Sequence, residues 1–593
     1  MKSLYKLKLS LALATGLVFS ATSCKDSFFD LPALGALSDA QLKSRAGIDA
    51  LLIGAYGGLD GTGMGGGSAW NTAADNWIYG TVAAGEAKKG SDGADQAGIN
   101  SIMQMSADPS NGFFNSKWVV AYEGVNRTNS VLRNLKEAKD ISDADKKRLE
   151  GEARFLRGHY YFDLKKMFGN IPWVDETTED PAVVGNTEDV WPKIEADFKF
   201  AYDNLPNTQG QKGRANKWAA GAYLGKTQLF MKKWAEAKAT FDAVIAQGVT
   251  SAGEKYGLLE KFQDNFNAAS KNSKESIFAV QQVANDGTNS IANGNEGWML
   301  NHPYNSPFRC CGFYQPSIDL ANSFQTDAAG LPILTNHNSK TLKNDQGILS
   351  SAAFAPDKAT SVDPRLDWTV GRRGIPFHDW GHHPGQDWIR DQGYAGPYSP
   401  KKSIYWQADQ GTYADQSSWA PGSAININII RFADVLLMAA EAEAQLGNLA
   451  RAQELVNMVR NRAAGKASWL HEYVNPSTPM AGFSDTPASN YQIKPYAAGA
   501  FAGMGKDAAL RAIYFERKLE LAMEGHRFFD LSRWGIAAET INAYFAFEGA
   551  ITPDVRGGNF TKGKNEYFPI PLTQIDLSTK NGESPLKQNP GYN

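Results

Sequence analysis

Apolar residues recur at helical spacing along much of the chain. Trp118, Tyr122, Val125 and Asn129 fall at i, i+4, i+7 and i+11, which puts them on one face of a helix. Ala153, Leu156, Tyr160 and Leu164 line one side of a long helix over 145–167, which Gly169 and Pro172 end. Residues 40–60 predict a first helix that stops at a glycine-rich run, and helical spacing returns from Lys506 to Trp534. Over 249–424 that period fades. Gly, Pro, Asn, Ser and Trp dominate there, with short strand-like runs such as Ser276 to Val283. The pattern predicts a mainly α fold. A helical scaffold, mainly 40–56, 114–248, 425–463 and 506–545, carries a loop-rich, irregular ligand-binding half at about 249–424. Loops held on rigid helices are where binding residues concentrate.

Two segments repeat one another. Gly225, Ala237 and Phe241 match the crossing of a tetratricopeptide-type helix pair, and Ala440, Ala452 and Val456 fall at the same spacings, with Gly447-Asn448 as the turn. Small residues at the crossing let two antiparallel helices approach closely. Gln228 stands where that motif usually has tyrosine.

The N-terminus is of another kind. Lys2, Lys6 and Lys8 precede an apolar stretch from Leu9 to Phe19, and small residues then lead to Cys24. The stretch is too short to span a bilayer, which takes ~20 apolar residues. It reads as a lipoprotein signal over 1–23, cut before Cys24, with Cys24 as the lipidated residue and 24–593 as a single body held to the membrane by lipid alone. The chain has 60 basic and 63 acidic residues, a net charge of −3, which argues against nucleic acid as a partner. Its 3 cysteines exclude a disulfide-rich scaffold or a CxxC zinc protein.

Candidate chemistry lies in the loops. The insertion is rich in aromatic residues, among them Trp298, Tyr304, Trp380, Trp388, Trp406 and Trp419, and Trp70 and Trp77 lie nearer the N-terminus. A flat ring can hold the C–H face of a sugar while Asp, Asn or Arg takes its hydroxyls. About two thirds of these rings are expected in the core and a few at the surface. Trp77, beside Asp75, and Trp380, in a Gly/Pro/His loop near Arg372-Arg373, are the expected platforms. Adjacent Cys310 and Cys311, in an exported protein, predict a vicinal disulfide that stiffens a loop and faces a ligand. Together Trp77, Asp75, Cys310, Cys311, Arg372, Arg373 and Trp380 form the expected ligand-binding set. His378, His382 and His383, with Asp379 and Asp387, make the one histidine cluster. Gly381 and Pro384 break any shared helix face, so neither a metal nor another cofactor is assigned. Glu516, Glu520 and Glu524 follow at i, i+4. Paired carboxylates can serve a glycoside hydrolase, but Arg517, Lys518, Arg527 and Arg533 stand near enough to neutralise them in a structural ion-pair network.

Five blocks in order resemble the SusD-like (SusD/RagB) outer-membrane lipoproteins of Bacteroidetes. They follow the Cys24 signal: Glu152–Leu164 with Phe168–Pro172, Arg431–Ala442, Leu455–Ala463, Glu516–Trp534, and Phe568–Pro571 with Gln588–Tyr592. Gly158 departs from the alanine often found there. The resemblance implies a non-catalytic protein that binds glycan at the cell surface, outside the outer membrane, and delivers it to a SusC-like TonB-dependent transporter. The setting Arg309–Pro316 resembles fructan-binding members. From the residues alone, an interaction scaffold and a glycoside hydrolase remain as other functions.

Overall fold

The structure is a computed structural model that describes residues 38–61, 68–288 and 293–592. Cys24 and the expected signal lie outside the described residues. The scaffold begins with α1 (Arg45–Gly57), α2 (Gly112–Glu137), α3 (Asp143–Phe168), α4 (Trp191–Asn204), α5 (Lys217–Phe230) and α6 (Trp234–Gln247). From α2 to α6 each helix packs on the next. The N-terminus of α3 is fixed by Ser142, whose hydroxyl accepts from the Asp145 N–H at 3.2 Å. The predicted stripes are its core: Ala153, Leu156, Tyr160 and Leu164 are buried, as are Trp118 and Val125 of α2.

The helix pairs form as the spacing required. A side chain on Gly225 of α5 would come within 2.6 Å of the Phe241 ring of α6. Gln228, in place of tyrosine, bridges three helices. It donates to Glu195 of α4 at 3.3 Å and accepts from Thr240 of α6 at 2.8 Å. The second pair is α7 (Phe432–Gln445) and α8 (Leu449–Ala464), with Ala440, Ala452 and Val456 fully buried. Gly158 of α3 faces the Phe198 ring, which a methyl group there would meet at 2.9 Å.

Helix α7 packs directly on α6, so the chain leaves the stack after Gln247 and rejoins it at the same place. Strands β2 (Ser276–Val280) and β4 (Ile427–Arg431) pair antiparallel and close the neck of the excursion. Within it, β3 (Phe313–Pro316) pairs antiparallel with β1 (Ala87–Gly90) from before the stack, Ala87 opposite Pro316 and Gly90 opposite Phe313. Each of the five sheets among the described residues has two strands.

The helical run from Lys506 to Trp534 is two helices, α9 (Lys506–Glu520) and α10 (Arg527–Trp534), before α11 (Ala537–Glu548). The chain turns at Met523 and Gly525, both at positive φ. That turn brings Glu524 to Arg431 and Lys402, each at 2.8 Å. The glutamates are held in an ion-pair network, but their partners come from elsewhere in the chain. Glu516 meets Arg365 at 2.8 Å and Arg460 at 2.7 Å. Glu520 meets Arg365 at 2.8 Å, Arg431 at 2.5 Å and also Arg462. Arg517 and Arg533 turn instead to Asp434, Asp530 and Glu441, and Lys518 to Asp319. Helical spacing orders neighbours along one helix, whereas these partners arrive from facing elements.

Candidate functional site

The β1–β3 pair brings two loops side by side: 91–96, following β1, and 304–312, preceding β3. The Ser91 N–H donates to the Gly312 carbonyl at 2.6 Å. Gly90 sits at positive φ, and a Cβ there would lie 2.4 Å from the Gly312 oxygen, so glycine is required for the loops to meet. Cys310 and Cys311 form a vicinal disulfide in the second loop. Cys311 faces the core and Cys310 is half-buried.

A chain of contacts links the loops that flank this disulfide. Trp419 is the most open of the aromatic residues in the loops, with 49% of its surface exposed. It meets Trp70 edge to face, with ring centres 6.2 Å apart. The Trp70 indole N–H donates to Gln96 at 3.3 Å. Arg390 spans the next step, with Asp92 and Asp95 each at 2.7 Å and the Tyr304 ring 5.5 Å beneath its guanidinium. The exposed Arg309 closes the chain by donating to the Ser418 carbonyl at 2.6 Å, next to Trp419. Lys89 lies below the acidic loop and donates to the Asp95 carbonyl at 2.7 Å. Burial lowers its pKa to about 8. Partly exposed rings thus alternate with a held guanidinium, two carboxylates and an amide, the chemistry that takes both the apolar face and the hydroxyl edge of a sugar.

The other expected site residues fall differently. Trp77 is fully buried in a π-helical turn, 77–82, against Phe313 and Tyr314, so it offers no face to a ligand. Asn76 at positive φ turns that segment inward. Asp75 is buried beside it and accepts from the Trp298 indole N–H at 2.6 Å and the Trp77 N–H at 3.1 Å. Burial pushes its carboxyl up to about 6. Arg372 and Arg373 are buried clamps turned to partners inside the protein. Arg372 pairs with Asp367 at 2.7 Å. Arg373 donates to four backbone carbonyls over Ile348–Ala352, 2.6 Å away at the nearest. An arginine has five donors to satisfy, and folding a loop around it satisfies them more cheaply than water at a buried position. Trp380 is half-buried behind the disulfide loop, with its ring 4.7 Å from Phe308 and its indole N–H on the Tyr405 carbonyl at 2.9 Å.

The three histidines turn to separate partners. His378 meets the Lys401 carbonyl, His382 meets Glu472 and His383 meets Ser399. Trp70, Tyr304 and Trp419 are among the aromatic loop residues that the sequence offers, but polar flanks such as Gln416-Ser417-Ser418 before Trp419 do not separate an open indole from a buried one, since Asp75-Asn76 precede Trp77.

Known proteins match over most of this length. Residues 274–592 match the model of the SusD family, and 68–229 match one described as starch-binding, associating with the outer membrane. SusD-like protein P25 of Formosa agariphila is 26% identical over 491 residues, covering 80% of this chain and 79% of that one. A SusD-like protein of Bacteroides ovatus is 26% identical over 368 residues, 58% of each chain. A structure named as a laminarin-binding SusD-like protein superposes with a TM-score of 0.62 at 24% identity, covering 93% of this chain and 100% of that one. Surface glycan-binding protein A from Bacteroides thetaiotaomicron, in complex with laminarihexaose, gives 0.62 at 20% identity over 92% of this chain and 99% of that one. With the family match spanning more than half of its residues, the chain belongs to the SusD family.

Proposed function

We propose that this protein is a non-catalytic, lipid-anchored glycan receptor of the outer membrane that faces the cell surface and passes its glycan to a SusC-like TonB-dependent transporter. The observation that carries the reading is the exposed Trp419 against the half-buried Trp70, with Arg390, Asp92 and Asp95 in the same loops as Cys310–Cys311. The rings hold sugar faces, the charged groups take hydroxyls, and the half-buried Cys310 offers a polarisable surface between them. Family membership supports the outer-membrane setting and the transporter partner. The hydrolase alternative loses its leading carboxylates, because Glu516 and Glu520 are buried and each is shared by two or more arginines. Burial alone would raise the Glu520 carboxyl, but Arg462, Arg431 and Arg365 outweigh it and hold it well below the usual range, where it has no proton to give.

Two of the similar structures are named for laminarin or hold laminarihexaose, which makes laminarin the first glycan to test. The fructan resemblance of the Cys310 setting gains nothing from these relatives, and levan enters only as a comparison. Affinity electrophoresis through laminarin, levan and starch should retard the parent in one gel. Trp419→Ala should abolish that retardation at unchanged melting temperature, and the Cys310→Ser, Cys311→Ser pair should abolish it too, with thermal melts separating lost packing around the buried Cys311 from lost binding. Full retardation of both variants would place the site elsewhere.

A further inference from the structure

A second concavity lies away from the disulfide, where the end of α8 meets the insertion. Its volume is about 500 Å³, within the ~300–1,000 Å³ typical of small-ligand clefts. Trp406, Trp469 and Phe483 supply its aromatic wall, all half-buried. Asp264 and Asp409 supply carboxylates that no hydrogen bond or ion pair engages among the described residues, and Lys261 and Lys466 balance them. The wall is rigid. Asp379 accepts from the N–H groups of Gln407 and Ala408 at 2.6 and 2.9 Å, which fixes the loop carrying Trp406 and Asp409. Ser468 joins the Trp469 segment to the loop of Lys261 by accepting from the Phe262 N–H at 3.2 Å, and Gln263 donates to the Ala467 carbonyl at 3.3 Å. Two buried atoms of this wall, the Trp469 indole nitrogen and Gln263 Oε1, have no hydrogen-bond partner among the described residues.

We propose that this cleft is a second saccharide-binding site that takes a short stretch of neutral glycan. The inference rests on the glycan-binding reading above but on none of the same residues. Indole faces in an open cleft suit sugar rings, and disengaged carboxylates in a fixed loop are hydroxyl acceptors already in place. The two lysines of the wall match its two aspartates, so the lining offers no excess charge to select a charged sugar. One chain segment serves both places: Trp406 and Asp409 line the cleft, and Ser418 and Trp419 stand at the disulfide. A glycan long enough to reach both would gain by effective concentration, without any new contact.

Calorimetry of the whole chain with laminarihexaose, maltohexaose and levanhexaose tests this. The parent should take up two molecules of the hexasaccharide it binds. The double variant Asp264→Ala, Asp409→Ala should take up one and bind the matching polysaccharide about tenfold more weakly, a change of ~1.4 kcal/mol. Trp406→Ala should do the same, with thermal melts separating lost packing from lost binding. Trp419→Ala should remove the other molecule and leave the cleft occupied. One molecule per parent chain, unaffected by the double variant, would overturn the second site and leave the disulfide site standing. Uptake lost in the double variant but kept in Trp419→Ala would do the reverse. Preference for a sulfated or uronic-acid oligosaccharide at the cleft would overturn its neutral assignment, and no uptake of any hexasaccharide would remove both sites.

Discussion

Trp77 and Trp419 each follow polar residues, Asp75-Asn76 and Ser417-Ser418, and have opposite fates. Asn76 turns Trp77 beneath Phe313 and Tyr314, where it makes up part of the core, while Trp419 keeps about half its surface open. Removing the two side chains should therefore separate stability from binding. Trp77→Ala should cost about 3–5 kcal/mol, the range for a large buried aromatic, and lower the melting temperature by several degrees. Trp419→Ala should melt with the parent. Equal melting of parent and Trp77→Ala would contradict the packing described for 77–82. Arg372 and Arg373 make the same point for charge. Their neighbours in sequence suggested a hydroxyl-binding pair, but Arg372 turns to Asp367 and Ser489 and Arg373 to a turn of backbone carbonyls, all inside the protein.

At the scale of elements, the helix pairs stand on small residues and the C-terminal helices on ion pairs. Gly225→Leu would drive a branched side chain into the Phe241 ring, and overpacking of this kind costs ~1–3 kcal/mol. A lowered denaturant midpoint at unchanged slope would register it. The ion pairs give stability a pH dependence whose sign can be stated. Burial alone would raise the Asp530 carboxyl, but Arg517 and Arg533 outweigh it and hold it at about 2, below its ordinary 3.8. A depressed folded pKa means that Asp530 contributes its full stability above 3.8 and loses it as pH falls toward 2. Asp530→Asn should be less stable than the parent at neutral pH and converge on it near that lower limit. Urea unfolding at several pH values reads this directly, and a gap that stays constant with pH would refute it.

For the whole molecule, the excursion between α6 and α7 decides what the scaffold presents. Because those two helices pack on each other, the loops can vary without disturbing the stack, and β2–β4 ties them at the neck. Attachment to the membrane is a separate matter, which the proposal assigns to Cys24. Cys24→Ala should move the protein from the membrane fraction to the soluble one and stop its labelling by radioactive palmitate. A variant that stayed in the membrane fraction would sink the lipoprotein proposal. The parent, incubated with any glycan that retards it, should release no reducing sugar; release abolished by one Asp or Glu substitution would make it a hydrolase.

Period and residue size made the scaffold legible. The stripes on α2 and α3 and the spacing shared by Gly225, Ala237 and Phe241 with Ala440, Ala452 and Val456 are local patterns, and helix packing reads local patterns directly. The Cys310–Cys311 pair was legible too, since adjacency alone sets which thiols can meet. Which glutamate meets which arginine, and which indole stays open, was not. Those outcomes depend on β1 meeting β3, on the turn at Gly525 and on loops some hundreds of residues apart in sequence, as Trp70 and Trp419 are. A side chain's exposure is set by what the rest of the chain lays over it, and that is a property of the tertiary structure rather than of any neighbourhood in the sequence.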